Sequence, residues 1–290
     1  MVILKIAEIS DWDPRMSNPD LRSAEKHFEF GKNWQSFIAT IDDKSIEKAK
    51  AGLTKLFPNG EILKASFLDI GCGSGLSMLA AKYLGAIGVS GVDIDQHSVD
   101  ASKAILSAYF PDGGWSCSVR SVFELSPEHD GRYDIVYSWG VLHHTGDVWD
   151  AITKSGNLVA PGGLFAIALY SKTPLCGFWK AEKKLYTASG PIVRFLIRLT
   201  FKSIILFRKI TLGQNPLHFI RMYKGNRGMD WHHDVHDWLG GYPYESVVPS
   251  DVTNFLERSG FSIERVFENC PGNNGVLGSG CDEFVARRNR

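Results

Sequence analysis

The stretch Asp69-Ile70-Gly71-Cys72-Gly73-Ser74-Gly75 sets an acid beside three glycines at alternate positions. Glycines spaced this way let a ligand come close to the backbone and permit a tight turn. A dinucleotide loop would read G-x-G-x-x-G, with its third glycine where Leu76 stands; the pattern here is G-x-G-x-G. Asp93 closes the next apolar run. A carboxylate there accepts hydrogen bonds from both hydroxyls of an unphosphorylated ribose and repels a phosphate. Farther along, His143 and His144 follow the run YDIVYS and supply imidazoles that titrate near neutral pH. A third cluster, Asp230 to Asp237, packs three histidines and three aspartates into eight residues. It admits a metal site, a pocket wall or a structural loop. We take the pocket wall, formed by His232, His233, His236 and Tyr242, with no metal.

The elements that must carry these residues show in the hydrophobic period. Ser45–Phe57 places Ile46, Ala49, Leu53 and Leu56 on one helical face, and Pro58-Asn59-Gly60 stops it. Strands are predicted over 66–70, 87–92, 115–120, 133–138 and 164–170. Helices are predicted over 76–84, 97–110 and 148–158 between them. A helix capped by Ser250-Asp251 and strands over 261–267 and 282–286 close the pattern. Strands alternating with helices at this spacing indicate a doubly wound parallel sheet.

The whole chain has 290 residues, 32 Lys+Arg and 32 Asp+Glu, so no global basic excess marks a nucleic-acid binder. Its five cysteines form no C-x-x-C pair, poor material for a disulfide framework or a zinc site. The first residues show no leader-like apolar run, and a cytoplasmic protein is the expectation.

Together, FLDIGCGSG, GVDID, YDIVYSWGVLHHTGD and LVAPGGLFAIALY resemble the successive motifs of the class I S-adenosylmethionine-dependent methyltransferases, in their order and spacing. The resemblance covers about Phe67 to Tyr170 and then Pro249 to Arg288. It implies an α/β, doubly wound, Rossmann-like sheet of seven strands, the last antiparallel, with a helical insertion after the fifth. The implied layout is a helical lid over 1–60, a cofactor-binding core over 61–170, the insertion over 171–248, and a closing helix and strands over 249–290.

Residue by residue, the resemblance gives Asp69, Gly71 and Gly73 to the methionine part of S-adenosylmethionine. It gives Asp93 to the ribose, Ile94 to the adenine face, and Ser121 and Val122 to the adenine edge. Many relatives have an aspartate where Ser121 stands, so adenine is met differently here. Ser138 and Trp139 would floor the site beneath the sulfonium, and Tyr170 would face the acceptor. Lys32 and Trp34, in HFEFGKNW, would belong to a lid over the cofactor or to plain N-terminal packing.

Methyl transfer from a sulfonium is an in-line displacement that needs alignment and a dry site. A base is required only for a hydroxyl acceptor, and His143, ahead of His144, is the candidate; packing and capping are the alternative. The expected activity is methylation of a small molecule at oxygen. N-methylation of an amine or peptide, and a cofactor binder without transfer, stay open. The Asn-Pro-Pro-Tyr motif of adenine-N6 enzymes is missing where SWGVLHH stands, which argues against nucleic acid.

From Ser171 to Gly228 twelve lysines and arginines face a single acid, Glu182. Within it Pro191–Ile210 is strongly apolar, but Arg194, Arg198 and Lys202 recur at four-residue spacing. Three cations on one face at bilayer depth argue against a spanning helix and for an amphipathic one. Two uses follow. The basic stripe meets an anionic surface or large anionic acceptor, as in peripheral membrane contact. Alternatively, Phe195, Leu199 and Leu206 pack onto the core or a second subunit, and the cations stay in water.

Overall fold

The computed structural model describes residues 19–22, 31, 34, 41–227, 231–269 and 280–290. Its strands are β1 Ser66–Ile70, β2 Gly88–Asp93, β3 Trp115–Val119, β4 Tyr133–Trp139, β5 Val159–Tyr170, β6 Phe261–Phe267 and β7 Cys281–Arg288. Its longer helices are α1 Asp43–Leu56, α2 Leu76–Tyr83, α3 Gln96–Tyr109, α4 Val148–Asn157, α5 Cys176–Ala188, α6 Pro191–Thr211, α7 Pro216–Arg227, α8 Trp231–Gly240 and α9 Pro249–Arg258. All seven strands join one sheet in the order β3-β2-β1-β4-β5-β7-β6. β1 to β5 are parallel, and β7 runs antiparallel between β5 and β6. The expected sheet is therefore the observed one.

Alternation along the strands splits the core into two layers. Phe67, Ile135, Leu164, Ala166 and Val285 face α1, α2 and α3. Their neighbours Leu68, Val136, Phe165, Ile167 and Phe284 face α4 and α9. Most boundaries shift by one or two residues from the predicted ones, and two of the differences have a local cause. β5 starts at Val159 rather than Leu164, because a register shift opposite Tyr133 and Ile135 absorbs Pro161-Gly162-Gly163. α9 starts on Pro249, whose fixed φ suits a first turn, and no side chain caps it.

Chain direction across the sheet reverses between β1 and β4, so the loops after these strands diverge and leave a crevice at their carboxyl ends. Beyond β5 the chain makes an excursion through α5 to α8. It leaves and returns at one point: Val247 N–H donates to the Tyr170 carbonyl at 2.9 Å, and Lys172 N–H to the Val247 carbonyl at 2.8 Å. The excursion has its own apolar cluster of Tyr186, Trp231, Val235 and Leu239, flanked by Phe201 and Trp238.

Helix α6 is oriented against the expectation of a buried apolar face. Phe195 and Leu199 are exposed. Arg194 instead turns inward and donates to the Tyr186 and Thr187 carbonyls at 3.0 and 2.6 Å, and Lys202 meets His232 Nδ1 at 2.7 Å. The cations are held by α5 and α8, the helices underneath. Ser189 N–H caps the Tyr186 carbonyl at 3.2 Å, and the Arg194 guanidinium adds a second donor there and one at Thr187 in the last turn of α5.

Candidate active site

The loop after β1 is built for close approach. Gly71 has φ +80°, and a Cβ there would lie 2.4 Å from the Val141 side chain. Its N–H and that of Cys72 both donate to the Val92 carbonyl, at 2.8 and 3.1 Å, which lashes the loop to the end of β2. Asp93 ends β2. One carboxylate oxygen accepts from Gly73 N–H at 3.0 Å and the other from Asp95 N–H at 2.9 Å. Burial lifts Asp93 to about 6 despite these bonds. Asp69 is raised to about 8, first by burial and then by the nearby Asp93 charge. Two buried carboxyl groups in one crevice favour a ligand that brings positive charge and hydroxyl donors.

Parts of the N-terminal segment lie over this crevice. Gly31 N–H donates to Asp95 at 2.9 Å. The Trp34 indole rests on Gly73, where a Cβ would sit 3.3 Å from the ring. Arg22 bridges Asp147 at 2.6 Å and Asp150 at 3.0 Å at the start of α4. Lys32 lies outside the described residues.

Asp69, Gly71, Gly73, Asp93, Ile94, Ser121, Val122, Trp139 and Trp34 all line one cavity of about 1110 Å³. Ser138 does not line it; its hydroxyl donates to the Ile70 carbonyl at 2.8 Å and ties β4 to β1. Ser121 is engaged locally, in a capping box with Glu124. Trp139 donates to Glu283 at 2.8 Å, linking the rim of the crevice to β7.

The two histidines separate. His143, the expected base, is fully buried and absent from the cavity wall. Its Nδ1 accepts from Tyr170 N–H at 3.3 Å, its ring packs 3.9 Å from that of Tyr170, and Nε2 has no hydrogen-bond partner. Burial, with His144 and Lys183 nearby, holds it well below the ordinary imidazole range. His143 is a packing residue in this arrangement. His144 lines the cavity. Its Nδ1 lies 2.7 Å from the Pro243 carbonyl, which accepts the ring proton and leaves Nε2 as the basic nitrogen.

The cluster read as a pocket wall is carried by a helix, α8 over Trp231–Gly240. Trp231, Asp234, Val235 and Trp238, at i, i+3, i+4 and i+7, line the cavity together with Asp237. His232 is held by Lys202, and His236 lies 2.6 Å from the Tyr186 hydroxyl. Neither borders the cavity, and nor does Tyr242; Tyr170 does. The His233 side chain lies outside the described residues. Facing the glycine loop across the cavity, α6 and α7 contribute Phe201, Ile205, Arg208, Phe219 and Tyr223. These aromatic residues escaped the sequence reading. A 3.6-residue period through Trp231, Val235 and Trp238 was the available signal.

The family model of the methyltransferase domain matches residues 41–266. A 27-O-demethylrifamycin SV methyltransferase of Amycolatopsis mediterranei is 30% identical over 168 residues, covering 50% of this chain and 60% of that enzyme. A ubiquinone biosynthesis O-methyltransferase of Rhizobium leguminosarum is 32% identical over 151 residues, covering 52% of this chain and 56% of that one. The chain thus spans under two thirds of the length of these relatives. In fold it is similar to magnesium protoporphyrin IX methyltransferase from Synechocystis PCC 6803 with bound SAH, at TM-score 0.51 and 17% identity, over 84% of this chain and 83% of the other.

Proposed function

The chain belongs to the methyltransferase-domain family, and from that premise we propose that it moves a methyl group from S-adenosylmethionine to a hydroxyl of a ring-bearing, largely apolar small molecule. The observation that carries the reading is a single cavity shared by the glycine loop, Asp93, His144 and an aromatic cap wall. Bound S-adenosylmethionine supplies an electrophilic methyl on a sulfonium. Gly71 and Gly73 leave room for it at the backbone, and Asp93 receives its ribose hydroxyls. Both named relatives are methyltransferases, one of them called an O-methyltransferase, which favours an oxygen acceptor.

His144 Nε2 would take the proton of the acceptor hydroxyl and leave its oxygen nucleophilic, with S-adenosylhomocysteine the leaving group of the transfer. Phe201, Trp231 and Trp238 hold the acceptor's rings and exclude water, so the displacement proceeds in a dry, aligned site. Asp234 and Asp237 on the same wall favour a second reading, in which an amine is drawn in as its cation, gives up a proton to a facing carboxylate or water, and would accept the methyl on the neutral nitrogen.

Release of S-adenosylhomocysteine is measured with panels of phenols and amines. For a phenolic acceptor, His144→Ala lowers kcat by about 10²–10⁴ with cofactor affinity unchanged. Undiminished turnover by this variant, or turnover confined to amines, overturns oxygen transfer with a histidine base. No release with either panel favours a binder.

A further inference from the structure

The outward face of α6 is apolar. Ile192, Phe195, Leu196, Leu199, Phe207 and Ile210 recur on one side of the helix, and each is 51–77% exposed. The two neighbouring helices also expose large apolar side chains, Phe178 and Leu185 on α5 and Leu217 on α7. An apolar surface of this continuity on a water-exposed helix marks a contact.

Charge indicates what the contact is. Between Lys183 and Gly228 the sequence holds no aspartate or glutamate. Glu182, the one acid between Ser171 and Gly228, has both carboxylate oxygens buried. Lys180 and Lys184 are exposed on α5, the helix that also carries the exposed Phe178 and Leu185. A second copy seated face to face would bring two such cationic regions together without a facing acid. An anionic lipid surface accepts both features, burying the apolar side chains at the acyl boundary while phosphates meet the cations. No helix among the described residues is long and apolar enough to cross a membrane, so α6 would lie in the plane of the interface.

We propose that the outer face of α6, with its flanks on α5 and α7, seats on the interface of an anionic lipid bilayer. The inner face of the same helix, through Phe201, Ile205 and Arg208, is a wall of the cavity. The helix that meets lipid therefore also bounds the site, giving an apolar acceptor a short path between the two.

The test is co-sedimentation with vesicles of phosphatidylcholine alone and of phosphatidylcholine containing about a quarter phosphatidylglycerol, at low and high salt. The full chain partitions onto the anionic vesicles at low salt and less at high salt. Leu196→Ser with Phe207→Ser lowers the partition coefficient by about tenfold or more. S-adenosylhomocysteine affinity and the melting temperature stay at wild-type values, because both positions are outside the core. Lys180→Glu with Lys184→Glu removes the preference for anionic vesicles. No binding to anionic vesicles at low salt overturns the proposal, as does equal binding by the serine double variant. A dimer in sedimentation velocity that this double variant abolishes, with vesicles unbound, gives the face to a second copy instead.

Discussion

Asp93 shows how one side chain can serve both the loop and a ligand. Its two oxygens already accept from Gly73 and Asp95, so the carboxylate is fixed before anything binds. Asp93→Ala removes both that scaffold and the charge-assisted contacts to a ribose. The expected loss is about 2–4 kcal/mol, or roughly thirty- to a thousandfold in S-adenosylhomocysteine affinity by calorimetry. The raised value of about 6 sets a pH dependence. Below it the free protein holds a proton on Asp93 that must leave before the carboxylate can accept from a diol. Affinity therefore climbs as pH rises through about 6, where Asp93 ionises, and again toward 8 as Asp69 does. A profile flat from pH 5 to 7 would remove Asp93 from the ribose. The same pair of carboxyl groups was legible in the sequence, since an acid beside a glycine loop and another ending the next strand need only local order. The assignment of the base was not. His143 and His144 are adjacent in sequence, and distant partners separate them: Tyr170 packs on His143, and Pro243 holds His144.

At the scale of elements, what the sequence conveyed depended on whether an element's surroundings repeat a local rule. Phe67 and Leu68, or Phe165 and Ala166, belong to buried strands whose faces alternate by geometry alone, and the sheet was readable. In α6 the apolar and basic stripes were visible, but which stripe faces inward is set by partners far along the chain, and the same holds for the histidines of α8. Arg194 turns in to donate to the Tyr186 and Thr187 carbonyls in the last turn of α5. His232 and His236 turn away from the cavity because Lys202 and Tyr186 hold them. The segment joining α8 to α9 positions His144: Pro243 takes its Nδ1 proton, and Gly241 sits against its ring. A Cβ at Gly241 would fall 2.6 Å from His144 Cε1 and 3.2 Å from Nε2. Gly241 is not among the positive-φ glycines, so the backbone itself tolerates alanine. Gly241→Ala thus displaces the imidazole without unfolding the chain. Turnover is expected to fall about 10–100-fold while S-adenosylhomocysteine affinity holds within about twofold. Unchanged turnover in the folded variant would show that His144 does not act from this seat.

Across the whole molecule, one sheet carries two jobs through a detour in the chain. The β1 and β2 ends hold the cofactor crevice, and the excursion from Tyr170 to Val247 supplies the opposite wall of the same cavity. We propose that the excursion is a separable unit, because its entrance and exit are already joined. Tyr170 and Val247 share a hydrogen bond of 2.9 Å, and Ser171 bridges to Val247 in parallel. Its apolar cluster is its own, built on Tyr186, Trp231, Val235 and Leu239, and shares no residue with either core layer. Replacing residues 173–245 by a short glycine linker therefore costs little closure entropy, since the ends need not be brought together anew. It leaves the seven-stranded sheet with its β5–β7 ladder intact. The excised protein is expected to melt cooperatively and to bind S-adenosylhomocysteine within about tenfold of the full chain, since Asp69, Gly71, Gly73 and Asp93 remain. Acceptor turnover is expected to vanish with Phe201, Trp231 and Trp238, and vesicle binding with α6. Loss of cofactor binding in a cooperatively folded deletion would mean that the cap holds the cofactor as well as the acceptor. The division of labour between sheet and excursion would then have to be redrawn.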